Sequence, residues 1–218
     1  MSKNTRNRII LTAVAALLLV VMTVGGTIAY LQDKTELVTN TFDTSNLDIT
    51  LQEHEYNETD NTLKDTTTSS GQDNYQMVPG KTMPKDPFVT VAANSEKLWL
   101  FVQVADNSAS TYLDFSVKTT GDDAWTKLEG VTGVDNVWYM IVDASDAAQN
   151  FYILTGNEVT VKNLTNTQMD DITDANKPSL QFTAYAVQYD YIIEGRDTAD
   201  ADAAAAWAIA SGTTKYGQ

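Results

Sequence analysis

The feature that most constrains this chain is a period-two alternation of apolar and polar residues, repeated from Ser45 to Ile193 with turn residues in between. Such alternation puts one face of an extended segment on a core and the other in solvent. Leu47, Ile49 and Leu51 alternate with Asp48 and Thr50, so Ser45–Gln52 reads as a half-buried strand. Phe88–Ala93 repeats the pattern through Val89, Val91 and Ala93. Lys97–Val104 differs: Leu98, Leu100, Val102 and Val104 lie on one face and Trp99 and Phe101 on the other. Apolar groups on both faces mark a central strand, buried from both sides or covered by a partner on one of them. Tyr112–Val117, Ala124–Leu128, Asn136–Val142, Asn150–Thr155 and Glu158–Val161 follow, with Thr155-Gly156-Asn157 reading as a hairpin turn between the last two. Ser179–Ile193 is the longest strand; Leu180, Phe182, Ala184 and Ala186 share one face, and Tyr185, Val187, Tyr189 and Tyr191 the other.

Two stretches break the rhythm. Glu53 to Gly71 is Asn, Asp, Glu, Thr, Ser and Gly with only Tyr56 and Leu63 apolar, and 53–74 is expected to be an exposed, flexible loop. His54, the only histidine, is expected to be a solvated loop residue. Asn163–Pro178 also reads as loop, with Gln168–Ile172 as a short strand inside it. One helix is expected, over Thr198–Ala210: Thr198 caps it, Asp200 and Asp202 complement its dipole, its alanines favour it, and Trp207 packs it onto a sheet. About eight to ten strands at a spacing of roughly ten residues, with one late helix, predict an all-β fold, a two-sheet antiparallel sandwich. No internal repeat is present, which disfavours a propeller or solenoid.

Ahead of the strands lies a leader. Lys3, Arg6 and Arg8 precede an apolar run, Ile9–Val24, and Gly25-Gly26-Thr27-Ile28-Ala29 follows. That is the layout of a secretory signal peptide, with cleavage between Ala29 and Tyr30. A membrane anchor is the competing reading. The run falls short of the roughly 20 residues a bilayer span needs, and Lys34 stands alone where a stop-transfer segment carries a basic cluster. The domains expected are therefore 1–29 signal peptide, 30–44 an extended segment, and 45–218 the sandwich. The protein is expected to be secreted, meeting the membrane only as a precursor and signal peptidase as its processing partner.

Removing residues 1–29, which hold three basic residues and no acid, moves the formal charge from −15 to −18 and leaves 189 of the 218 residues. That length supports one domain with its own core. The charge disfavours nucleic acid and anionic membranes, both of which need clustered Lys and Arg. The chain has no cysteine, so an exported fold must be held by its core and its sheets, without disulfides.

Little in the sequence points to catalysis. One histidine cannot form HExxH or a two-histidine metal site, and no GxSxG, Walker loop or GxGxxG occurs. Asp122-Asp123, Asp170-Asp171 and Asp197/Asp200/Asp202 fall in turns or a first helical turn, where acids solubilise and cap. Asp170, Asp171 and Asp174 are the densest acidic group and the candidates for a weak calcium site, without the spacing or glycine of an EF-hand loop. Otherwise no cofactor is expected. Tyr185, Tyr189 and Tyr191 could form a carbohydrate platform; alternate tyrosines on a strand are more often packing.

GGTIAYLQD across the cleavage point, then TNTFDTSNLDITL, resemble the signal peptide of SipW type and the mature N-terminus of the TasA/camelysin family of secreted Gram-positive matrix proteins. VPGKTMPKDPFVTVAANSEKLWLFVQV, FTAYAVQYDYIIEG and the DADAAAAWAI helix extend the resemblance to the middle and end of the chain. The resemblance implies a jelly-roll sandwich that assembles head to tail into fibres of a biofilm matrix, with itself and accessory matrix proteins as partners. The N-terminal segment of one subunit would complete a sheet of the next, burying Leu31, Leu37, Val38 and Phe42 as the donor strand. Some family members are described as metalloproteases; one histidine and no HExxH leave that activity unsupported, and a non-enzymatic role is expected. No LPxTG-like motif is present, which disfavours a sortase-linked pilin. The competing functional reading is a monomeric surface module that binds glycan or host.

Overall fold

The computed structural model describes residues 47–70, 75–173, 176–191 and 199–212, all within the compact unit Thr44–Gln218. The sequence-predicted signal peptide and the segment 30–44 lie outside the described residues. The fold is an all-β sandwich, with eleven antiparallel strands among the described residues and a helix near the C-terminus. The first sheet has the order β2-β1-β4-β9, with β1 Ile49–Asn57, β2 Thr62–Thr68, β4 Phe88–Val91 and β9 Gln149–Tyr152. The second has the order β11-β5-β8-β7, with β5 Leu98–Asn107, β7 Thr126–Lys127, β8 Val137–Val142 and β11 Ser179–Gln188. A smaller third sheet, β3-β10-β6, joins β3 Thr82–Pro84, β6 Leu113–Asp114 and β10 Glu158–Val161.

β5 is the spine. Leu98, Leu100, Val102 and Val104 face the core between the two large sheets, against Val89, Val91, Phe151 and the fully buried Trp125. Trp99 and Phe101 face the other way, into a second core with Val137, Tyr139 and Val187. That second core is roofed by α3 (Ala199–Ala210), which contributes Ala203, Ala206 and Trp207. Each such buried side chain contributes roughly 1.5–3 kcal/mol, so the double-faced strand predicted from KLWLFVQV carries the largest share of the fold's hydrophobic stabilisation. The Trp207 ring lies 5.5 Å from that of Phe101 and 5.0 Å from that of Tyr185, to which it is nearly perpendicular. Alanines let the helix lie close to the aromatic layer beneath.

Four expectations are corrected. The 53–74 loop is largely a hairpin: β1 runs on to Asn57 and pairs with β2, with His54 opposite Thr67 and Asn57 opposite Thr62. Thr62, Thr66, Thr67 and Thr68 are β-branched, and their strand preference outweighs the low hydrophobicity. The turn is closed by polar side chains: Asn57 Oδ1 accepts from the Thr59 N–H at 3.1 Å, and the Tyr56 hydroxyl donates to Asn61 Oδ1 at 3.0 Å. Residues 71–74 of that stretch lie outside the described residues. Second, Thr155-Gly156-Asn157 does not close a hairpin; it passes the chain from β9 in the first sheet to β10 in the third. Third, Gln168–Ile172 is no strand. Residues Asn166–Asp170 form a short helix, α2, because Thr165 and Gln168 make a reciprocal capping box. Fourth, Tyr112–Val117 is mostly irregular: a one-turn helix, α1 (Ala109–Tyr112), leads into the two-residue β6.

Candidate functional site

β11 ends its sheet. Among the described residues its one ladder partner is β5, in an unbroken register from Ser179 opposite Asn107 to Gln188 opposite Leu98, with an isolated bridge from Ser179 to Ser108 at its start. Its ten residues, SLQFTAYAVQ, include no charge and no proline. An exposed strand edge is a row of unpaired N–H and C=O groups, and proteins ordinarily blunt it with charge, proline or a bulge. Leu180, Phe182, Ala184 and Ala186 point toward the core yet are only half-buried. Leu180 and Phe182 also touch the third core, beneath Met83, Leu154, Val159 and Val161.

A groove of ≈ 340 Å³ lies beside the N-terminal half of this strand. Leu180, Gln181 and Phe182 come from β11; Leu51 and Glu53 come from β1, and Lys85 and Pro87 from the β3–β4 connection. Among the described residues, Ile49–Gln52 of β1 pairs with β4 on one edge, whereas its pairing with β2 on the other starts only at Glu53. Two backbone edges therefore border the groove. Its remaining lining is hydroxyl and amide: Gln52, Thr68, Ser69 and Ser70. A second cavity of ≈ 210 Å³, lined by Tyr75, Met77, Met83 and Val159, shares Lys85 and Leu180 with it.

One wall of the groove carries a polar cluster. Glu53 and Asp86 are 8% and 3% exposed, and ionised groups are rarely that buried without partners. Lys85 Nζ lies 2.7 Å from Glu53 Oε2. Asp86 accepts from His54 twice: Oδ1 takes the backbone N–H at 3.0 Å, and Oδ2 meets ring Nδ1 at 2.6 Å. The ladder between β1 and β4 ends at Gln52 opposite Phe88, and the next residue back, Pro87, has no N–H to offer. The Asp86 carboxylate thus bonds His54 on the side of β1 where the pairing with β4 has ended. Lys85 also sits 4.9 Å above the Tyr75 ring, which stacks on Tyr56 at 4.5 Å. Burial, followed by the negative charges of Glu53 and Asp86, pushes the Tyr75 phenol well above its ordinary range.

The sequence-predicted site residues fall elsewhere. Ala29, Tyr30, Leu31, Leu37, Val38 and Phe42 lie outside the described residues. Asp170 closes α2 and Asp171 caps it, both exposed, while Asp174 lies outside the described residues. Among the described residues no three His, Cys, Asp or Glu side chains are grouped to hold a metal ion. Tyr185 and Tyr189 belong to the core under α3, with Tyr189 stacked on Trp99 at 5.5 Å, so they present no open platform. His54 is corrected from a solvated loop residue to a half-buried strand residue bonded to Asp86. Sequence reasoning missed the pairing of Glu53-His54 with Lys85-Asp86. A charged dipeptide between Pro84 and Pro87, entering a strand, was the available signal. No helix among the described residues is long and apolar enough to cross a membrane. No protein-family model, no curated protein and no solved structure matches this chain.

Proposed function

We propose that this chain is a secreted structural subunit of extracellular matrix fibres, assembled head to tail by donor-strand exchange. The observation that carries the reading is the uncharged β11, with one ladder partner among the described residues, beside a groove lined by the half-buried Leu51, Leu180 and Phe182. An extended segment laid there would satisfy backbone groups of β11 and place alternate side chains against Leu180 and Phe182. The occupant is the segment 30–44 of a second copy, freed by cleavage between Ala29 and Tyr30. Leu31, Leu37, Val38 and Phe42 supply its apolar groups, and its threonines favour extension. A contact between one end of a subunit and a different surface of the next does not close on itself, so it propagates into filaments. The resemblance to the TasA/camelysin family points the same way, and no enzymatic step is invoked. Cleavage would be the switch that makes the donor available.

Electron microscopy of purified protein starting at Tyr30 tests this. Filaments are expected from it and only monomers from a chain starting at Asn46. Equal filament formation by both would falsify donor exchange. The hydroxyl and amide lining of the groove favours one second reading, a monomeric glycan-binding module. Glycan binding by the Asn46 form, with no filaments from the Tyr30 form, would establish that instead.

A further inference from the structure

We infer that Glu53, His54, Lys85 and Asp86 form a clasp that sets the shape of the groove in the unassembled subunit, so that strand acceptance depends on the position of the wall these residues hold as well as on the apolar groups of β11. The inference rests on the donor-exchange reading for its role, and on the geometry alone for its existence. Two consecutive residues of the β3–β4 connection grip two consecutive residues of β1. Lys85 holds Glu53 at 2.7 Å, and Asp86 holds both the backbone and the ring of His54. All four act where β1 changes partner. Before this point β1 belongs to β4, and after it to β2, with an irregularity in pairing between His54 and Tyr56.

The β4 ladder and the core hold the β1 wall up to Gln52, and the clasp holds it at the two residues beyond. Pro87 cannot extend the β4 ladder, and β2 takes up β1 from the opposite edge. Glu53 and Lys85 are groove lining themselves, so any slack in the clasp displaces the wall that faces Leu180 and Phe182. Both side chains of that pair are nearly buried, at 11% and 12% exposed. In such a setting the two charges hold each other in one geometry, and loss of either leaves its partner stranded. The Lys85 backbone adds a third anchor, its N–H donating to the Asn157 carbonyl at 2.8 Å, which fixes the connection to the turn before β10. Packing of His54 against Phe88 at 5.5 Å ties the clasp to β4 itself.

The test separates shape from stability in the full mature chain. Glu53→Lys and Lys85→Glu, each alone, are expected to slow filament elongation at least tenfold, as read by light scattering seeded with wild-type fragments. The double swap, Glu53→Lys with Lys85→Glu, is expected to return elongation to within threefold of wild type. A double variant as slow as the singles, singles as fast as wild type, or elongation that falls only in step with the thermal midpoint would overturn the inference. Hydrogen exchange on unassembled protein provides the arm that does not need filaments. In Asp86→Leu the His54 amide is expected to exchange at least tenfold faster while β5 amides are unchanged. Asp86→Asn, which retains an acceptor, is expected to exchange at a rate between the two, and it replaces Asp86→Leu if that variant does not fold. Wild-type chains that never elongate, yet give this exchange pattern, would remove the fibre reading and leave the clasp standing. An unchanged His54 amide in both variants would remove the clasp.

Discussion

Among the described residues β2 and β11 each end a sheet, and they are built on opposite lines. β2 (TLKDTTT) is mostly exposed and carries Lys64 and Asp65, with Lys64 paired to Glu55 on the neighbouring strand at 3.2 Å. That is an edge protected against further pairing. β11 is longer, uncharged and half-buried. A protein with a formal charge of −15 has acids to spare for any surface that should stay single, and it places none on β11. The contrast teaches that, among the described residues, β2 carries the charges that protect an edge and β11 carries none, which is the difference the donor-exchange proposal uses.

The comparison can be broken or sharpened by substitution. The largest expected effect is from Ala184→Lys on β11. An inward-facing lysine on an edge opposes strand addition, so elongation should fall by at least about a hundredfold, while Thr66→Lys on β2 should leave it unchanged. Elongation assays on the two variants side by side check this, and equal loss in both would dissolve the distinction between the edges. Next is Phe182→Ala. The ring serves two cores at partial burial, so unfolding free energy should drop by about 1–3 kcal/mol, below the 3–5 kcal/mol typical of a fully buried aromatic. Denaturant titration reads the stability, and binding of a peptide spanning residues 30–44 reads the groove, where roughly a tenfold weakening is expected.

A third variant runs the contrast in reverse. Lys64→Val with Asp65→Val strips the protection from β2 and should add irregular, concentration-dependent aggregation without ordered filaments, visible by sedimentation and microscopy.

The smallest effect concerns pH. Asp106, opposite Leu180 in the β5–β11 register, lies at the end of that pairing. Burial disfavours its carboxylate, but the Ser110 hydroxyl and N–H, the Ala109 N–H and nearby Lys162 outweigh this and hold it below its usual 3.8. A folded-state value below the unfolded one stabilises the fold above pH 3.8, and the contribution disappears as pH falls through the lower folded value. Asp106→Asn should therefore cost less than about 1 kcal/mol at neutral pH, after solvent screening. The variant and wild type should converge on acidification, as thermal unfolding across pH 2 to 7 would show.

The two edges also mark how far the sequence could be read. β5 and most of β11 were legible because each packs against something apolar on both faces; the end of the expected Ser179–Ile193 strand was not, since the strand stops at Gln188 and Tyr189–Tyr191 form a 3-10 turn. Their face assignments, down to Leu180 with Phe182 and Trp99 with Phe101, match the cores found. β2 was not legible from hydrophobicity, since a protected edge has almost no apolar face to display; only its threonines signalled extension. The third sheet was hidden for another reason. Its strands are two to four residues long, and what brings β3, β10 and β6 together is pairing between residues far apart in the chain. The clasp was illegible for the same cause: Glu53 and Lys85 stand 32 positions apart, and no local pattern records that they meet.

The most direct test of the account is residue-resolved hydrogen exchange on the chain that begins at Tyr30, before and after assembly. Amides along Ser179–Gln188 should gain protection in the filament while those of Thr62–Thr68 keep their monomer rates. Protection appearing at β2, or β11 amides exchanging identically in both states, would contradict it.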